Sequence, residues 1–270
     1  MLRKLWAVAW LEILGGLRRY AILGLVLLAF ALEAGGLLFM DFIPRDIGRA
    51  SSDFILTVGW FAGLLFLLFH CVQAFAWSDE RRTLHTLLAR PITRQQYVLG
   101  GYLGLATLLL LLNVILALVG FGVLYLIRTS LPMEYFSGVA LTHYCLAWLG
   151  LLCIELMLLA VIVLFSGMVR GGFPVLLLTV SYYFICAGLP VVREAMAHSR
   201  VNELFPMSRL LTGLTVLFPD FGRFDFKSIV VDSEQSVAAA KLGLDAGLLI
   251  CFLVIVLGAA CLIYQKRDLR

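Results

Sequence analysis

A few side chains inside otherwise apolar runs carry chemistry beyond packing: Glu33, His70, Asn113 and Glu155. Glu155 lies far from either end of its run, where an ionised carboxyl costs a few kcal/mol even on insertion scales (about 3). It must therefore face other helices, face a second copy, or carry a proton. Two roles fit it: a structural acid bonded to neighbouring hydroxyl or amide groups, or a charged group on a translocation path. Glu33, beside Gly35 and Gly36, either lines such a path or reaches headgroup water. Asn113 suits a bond across helices worth about 1 kcal/mol. His70 suits a hydrogen bond to a neighbouring helix rather than a metal, and His143 a polar partner towards the outer side. The six cysteines all sit in apolar runs and form no Cys-x-x-Cys pair, so they read as reduced packing residues with neither disulfide nor metal site.

What is missing narrows the chemistry. No GxxxxGK[ST] is present, so the chain has no Walker A loop with which to bind ATP itself. HExxH and GxSxG are missing too. The expectation is a protein that is not an enzyme and holds no cofactor.

These groups have to be positioned by membrane helices. Of 270 residues, 62% are hydrophobic and 14% charged, and mean hydropathy is +1.01. A soluble domain is nearer half apolar and a quarter charged. The expected fold class is therefore an all-α polytopic membrane protein forming one transmembrane domain over residues 1–270. A span needs about 20 apolar residues to cross a core of about 30 Å, and six runs qualify: 20–40, 54–77, 98–127, 138–165, 173–192 and 242–264. Residues 1–19 place Leu2, Trp6, Ala9, Trp10, Ile13 and Leu17 on one helical face, as an interfacial helix would. Glu12 and Gly15-Gly16 interrupt that stretch, which disfavours a signal peptide. Residues 41–53 read as a short outer loop with Pro44, and 166–172 as a tight inner turn with Arg170. Residues 193–241 form a long outer loop. Its apolar pieces 204–207 and 210–218 are too short to span, so they read as re-entrant or interfacial helices, followed by a lid-like stretch at 219–234.

Charge fixes the orientation. With both termini inside, inner segments hold Arg3, Lys4, Arg18, Arg19, Arg81, Arg82, Arg90, Arg94, Arg170, Lys266, Arg267 and Arg270, against Arg45, Arg49 and Arg128 in the short outer loops. Twelve against three satisfies the positive-inside rule, in which long loops such as 193–241 weigh little. The +4 net charge is thereby explained without a nucleic-acid partner. No internal repeat is visible, which gives inverted-repeat carriers no support.

The chain is organised around residues 79–104, the long polar interruption of its N-terminal half. Ser78 is placed to cap a short amphipathic helix with Asp79 and Glu80 in its first turn and Leu84, Leu87 and Leu88 on one face. Pro91 ends that helix and biases Arg90 to extended backbone. Thr93 and Gln96 have capping-box spacing for the next helix. The stretch resembles the first cytoplasmic loop of ABC-2 type transporter permeases. The resemblance rests on Asp79-Glu80, Thr83-Leu84, Leu87-Leu88, Pro91-x-x-Arg94 and Gly100-x-Tyr102-Leu103-Gly104, although Gly101 stands where the family often has Lys. It implies that 78–97 is a coupling loop docking on a separate ATPase subunit through Asp79, Glu80, Arg82, Thr83, Leu84, Leu87, Leu88, Arg90, Pro91 and Arg94. It also implies ATP and Mg²⁺ in that partner, a second permease copy, an elbow helix before the first span and re-entrant helices between the fifth and sixth. Residues 217–226 resemble the Pro-Asp/Asn-aromatic turn found there.

The expected function is the permease subunit of a bacterial inner-membrane exporter, multi-pass, with both termini cytoplasmic. Glu33, Asn113 and Glu155 are its intramembrane polar residues. The alternatives are an assembly or mechanotransmission subunit that passes ATPase motion to a periplasmic or outer partner, and an ion-coupled carrier or intramembrane enzyme using Glu155 and Glu33. The orientation is directly testable: Asp225→Cys should react with an impermeant thiol reagent in intact cells, and His85→Cys only after permeabilisation. The reverse pattern would invert the topology.

Overall fold

With no water at mid-bilayer, backbone N–H and C=O groups must be satisfied within helices. A computed structural model describes residues 2–18, 20–40, 47–80, 93–130, 141–198, 218–227 and 239–266. Among these residues the regular structure is helical, without strands: α1 (Leu2–Arg18), α2 (Ala21–Met40), α3 (Ile47–Leu65), a π turn (Phe66–Cys71), α4 (Val72–Glu80), α5 (Arg94–Ser130), α6 (Leu141–Met168), α7 (Gly172–His198), a 3-10 turn (Phe221–Arg223) and α8 (Ala239–Lys266). Five helices are long and apolar enough to cross a membrane, and a sixth crossing results if α1 and α2, which meet at 51°, count as one. The chain is thus a multi-pass membrane protein by length and composition.

Several helices outrun the apolar runs that announce them. The second begins at Ile47 rather than 54, so the expected outer loop 41–53 is shorter. The polar residues there do not break the helix because Ser51 Oγ and Ser52 Oγ donate back to the carbonyls of Ile47 and Gly48 at 2.5 and 2.7 Å. At its other end α4 continues through Ser78 to Glu80. With neither Pro nor Gly between Val72 and Glu80, Ser78 lies within a helix instead of capping a new one, and Asp79 and Glu80 close that helix rather than open another. The fifth helix runs through Pro190 to His198, not to 192. The fourth and sixth extend to Met168 and from Ala239 to Lys266. Only 169–171 separates α6 from α7, and Gly171 takes φ 98°, which L side chains disfavour.

The bundle is built around α5. Its 37 residues reach about 55 Å at 1.5 Å per residue, well beyond the hydrocarbon core. Leu105, Leu108, Leu109, Leu112 and Leu116 are fully buried along it, in one core with Leu158, Leu159 and Ile162 of α6. Glycine pairs set the closest helix approaches. Gly100 meets Val8 and the Leu5 carbonyl, and Gly104 meets the Ala9 carbonyl and Glu12 Cβ. These contacts divide the apolar face expected for the N-terminal helix. Val8, Ala9, Ile13 and Gly16 are buried on the bundle, whereas Trp6 and Trp10 are 60% and 51% exposed. The small residues match the glycine groove of α5; the indole rings do not fit it. Tyr20, with φ 52°, turns the chain between α1 and α2.

The close contact at Gly104 is open to test. In Gly104→Leu the new side chain meets backbone of α1, so thermal unfolding in detergent should show a loss of about 1–3 kcal/mol. Gly15, whose Cβ position has nothing within 4 Å, should accept Ala with no loss. Equal behaviour of the two variants would refute the α1–α5 packing.

Candidate functional site: a buried carboxyl centre and a stitched distal segment

Glu155 and Asn113, read separately in the sequence, meet in the structure. Glu155 sits mid-way along α6 and is 0% exposed; Asn113, on α5, is 5% exposed. Asn113 Nδ2 donates to Glu155 Oε2 at 2.5 Å and to the Leu109 carbonyl at 3.0 Å. The wall opposite the carboxyl is Gly63 of α3, where an added Cβ would overlap Oε1. One turn away Gly59 accommodates the Trp148 indole in the same manner. Trp148 and Glu155 are seven residues apart and share a face of α6, so the pair Gly59 and Gly63 lets α3 lie directly on them.

The polar column continues in both directions. Tyr144, one turn beyond Trp148, donates its hydroxyl to the Ala117 carbonyl at 3.0 Å, in space left by Gly120. Glu33 of α2 is 2% exposed and within electrostatic reach of Tyr144. Glu33 is thus enclosed by protein. In the other direction the π turn brings His70, stacked on Phe66 at 4.9 Å, with Nε2 turned towards Gly16 of α1. Buried Cys71, next in the turn, lies within electrostatic reach of Glu12 and Glu155. Among the described residues no group of three or more His, Cys, Asp or Glu converges as a metal site would.

Of the expected docking set, Asp79 and Glu80 end α4, and their side chains fall outside the described residues, as do Arg82, Thr83, Leu84, Leu87, Leu88, Arg90 and Pro91. The first turn of α5 is well defined. The Thr93 N–H donates to Gln96 Oε1 at 3.1 Å, and the Gln96 N–H to Thr93 Oγ1 at 3.3 Å, the reciprocal capping box its spacing called for. Arg94 does something the sequence did not signal: Nη1 donates to the carbonyls of Tyr264 and Gln265, at 3.1 and 2.9 Å. It thereby satisfies open carbonyls at the end of α8 with a cation, which suits the negative end of that helix. Tyr264 is held again by its hydroxyl bond to Ser166 of α6 at 2.8 Å.

At the opposite end of the bundle, residues 218–227 form the described part of the long loop; the proposed re-entrant pieces at 204–217 fall outside the described residues. Phe221, Phe224 and Phe226 are buried, the last two against Gly150 of α6. Ionic contacts tie the segment down on two sides. Arg193 of α7 pairs with Asp220 at 2.6 Å and donates to the Phe218 carbonyl at 3.3 Å. Lys227 donates to Thr57 of α3 at 2.9 Å, with Asp53 at 3.8 Å. Sequence reasoning missed these partners, and also Asp245, which is 3% exposed in α8. The i, i+4 glycine spacings at 59/63 and 100/104 were the available signal for the tight helix pairs.

Compared with known proteins, the chain matches no family model and no curated protein sequence.

The carboxyl centre yields a stability test. Asn113→Leu removes the single described donor to a wholly buried carboxyl and should cost about 1–3 kcal/mol, read as a lower unfolding temperature in detergent. Glu155→Gln keeps volume and hydrogen bonding and should stay close to wild type. A neutral Asn113→Leu would show that the bond contributes nothing.

Proposed function

We propose that this chain is the permease subunit of an ABC-2 type transporter in a bacterial inner membrane, working as an exporter with a second copy and driven by a separate ATPase that docks on residues 78–97. The ordered motif across residues 79–104 carries the reading. Its structural support is the way that stretch is joined to the bundle. A loop that receives force needs a rigid exit, and the Thr93–Gln96 box gives α5 one from its first turn. Arg94 adds a second lever arm, because its bonds to the end of α8 make the last span move with the third. Closure of the ATPase pair around ATP and Mg²⁺ pushes the loop, and the α3–π–α4 rod, α5 and α8 carry the displacement into the membrane.

One observation favours a mechanotransmission role as the second reading. Residues 218–227 are stitched to α3 through Lys227 and to α7 through Arg193, so relative movement of those helices reaches the distal surface, where an outer partner would sense it. Flux of cargo into or out of vesicles separates the two.

Docking is tested by Leu87→Asp, which should insert normally but weaken copurification of the ATPase by about tenfold or more, as loss of an apolar anchor does. Arg94→Gln removes both a docking residue and the tie to α8, so it should weaken ATPase copurification and lower transport per ATP hydrolysed. Unchanged ATPase binding in Leu87→Asp would remove the coupling-loop assignment.

A further inference from the structure

The hydrogen bonds around Glu155 leave a remainder of one kind. Asn113 Nδ2 serves Glu155 Oε2, but Glu155 Oε1 and Asn113 Oδ1 are both buried and without a hydrogen-bond partner. With Glu155 as a carboxylate, both atoms are acceptors only. Each is two bonds from an atom of the 2.5 Å hydrogen bond, so the unmet demand is concentrated at one spot. Two orphaned acceptors, one on each partner of that bond, call for a donor, and none of the described residues provides it.

The groups packed around the centre do not change this. The π turn contributes the Cys71 thiol, with Glu12 of α1 beyond it. From α5, Tyr102 donates its hydroxyl to the Leu156 carbonyl at 3.4 Å. On the α7 side Tyr182 packs on Phe165, and on the α8 side Tyr264 is bonded to Ser166. Ion pairs at the distal end involve Arg193, Arg223 and Lys227, and Glu155 takes part in none of these. A carboxylate buried in that setting, without a cation, is far costlier than a neutral acid.

We propose that Glu155 and Asn113 form an intramembrane proton-binding site, in which the carboxyl proton supplies the donor that the two oxygens lack. The acid and the amide are complementary: the amide N–H donates to Oε2, while the acid O–H serves the pair's unmet acceptor. Gly63 is the lid of this site. A Cβ there would overlap Oε1, so displacement of α3 along α6 exposes or covers the proton. The π turn starts three residues further along the same helix, a wide turn of the sort found where helices shift. A polar route away from the site is marked by Trp148, whose Nε1 is buried without a partner, and by Glu33, whose Oε2 is likewise unpartnered.

The test is infrared difference spectroscopy on the full-length protein in phospholipid vesicles at neutral pH, with ¹³C-glutamate to identify glutamic-acid C=O stretches. The expected result is a glutamic-acid band that disappears in Glu155→Gln, persists in Glu33→Gln, and shifts in Asn113→Ser. A spectrum in which Glu155→Gln removes only carboxylate stretches, whether or not these respond to sodium, overturns the proposal in favour of an ionised group or a bound cation. Should Glu155→Gln fail to insert, Asn113→Ser decides: a shifted acid band supports the site, and an unshifted one overturns it.

Discussion

The approach of α3 to α6 is the constraint on which most of the interior depends. Two glycines one turn apart remove the side chains that would hold the helices apart, and the space is taken by an indole ring and a carboxyl group. In lipid there is no hydrophobic drive for helices to associate, so such close contacts and buried hydrogen bonds have to supply the attraction. A carboxyl placed there cannot reach water, which makes its bond to Asn113 compulsory and fixes α5 as the third member of the group. The remaining helices dock around that trio: α1 on the glycine groove of α5, α8 on its start through Arg94, and α7 on α6 after a three-residue turn.

The two ends of the bundle are built differently. One is organised by helix termini: a capping box begins α5, and a guanidinium closes α8. Both devices stiffen short stretches of backbone next to the segment where a partner is proposed to act. The other end is organised by side chains from a loop, three buried phenylalanines with a cation at either edge. Ionic contacts of partly exposed groups are worth little individually; the rings provide the anchorage, and the charges set where the segment sits.

The sequence made the helices legible and their limits less so. Apolar runs mark membrane helices because lipid leaves no other arrangement, yet Ser51 and Ser52 extend α3 outward by bonding to their own helix, and Pro190 lies inside α7 instead of ending it. Local chemistry was readable where both partners are neighbours, as with Thr93 and Gln96. It was not readable where a partner lies far along the chain. Nothing near Arg94 announces Tyr264, nor anything near Lys227 its place beside Thr57. Asn113 and Glu155 stood out individually because each is conspicuous in an apolar run, but only the packing of α5 on α6 pairs them. The apolar face of the N-terminal helix was legible from its spacing, but not its division, in which Ala9 and Gly16 are buried on the bundle and Trp6 and Trp10 stay outside.

The π turn at Phe66–Cys71 has a consequence for how length changes are tolerated. Each residue of an α-helix advances the phase by about 100°, and a π turn takes up an additional residue in its ladder. The rod from Ile47 to Glu80 therefore has its two halves indexed separately: Gly59 and Gly63 are registered against α6, and Val72, Phe75 and Ala76 bury a face of their own. Closing 66–71 to ordinary α geometry with the same number of residues would rotate one half against the other by about 100°. Either the glycines would leave Trp148 and Glu155, or the buried stripe of α4 would turn outward. The wide turn acts as a phase adjuster, and the spacing between the glycine pair and the end of α4 is thereby fixed to the residue.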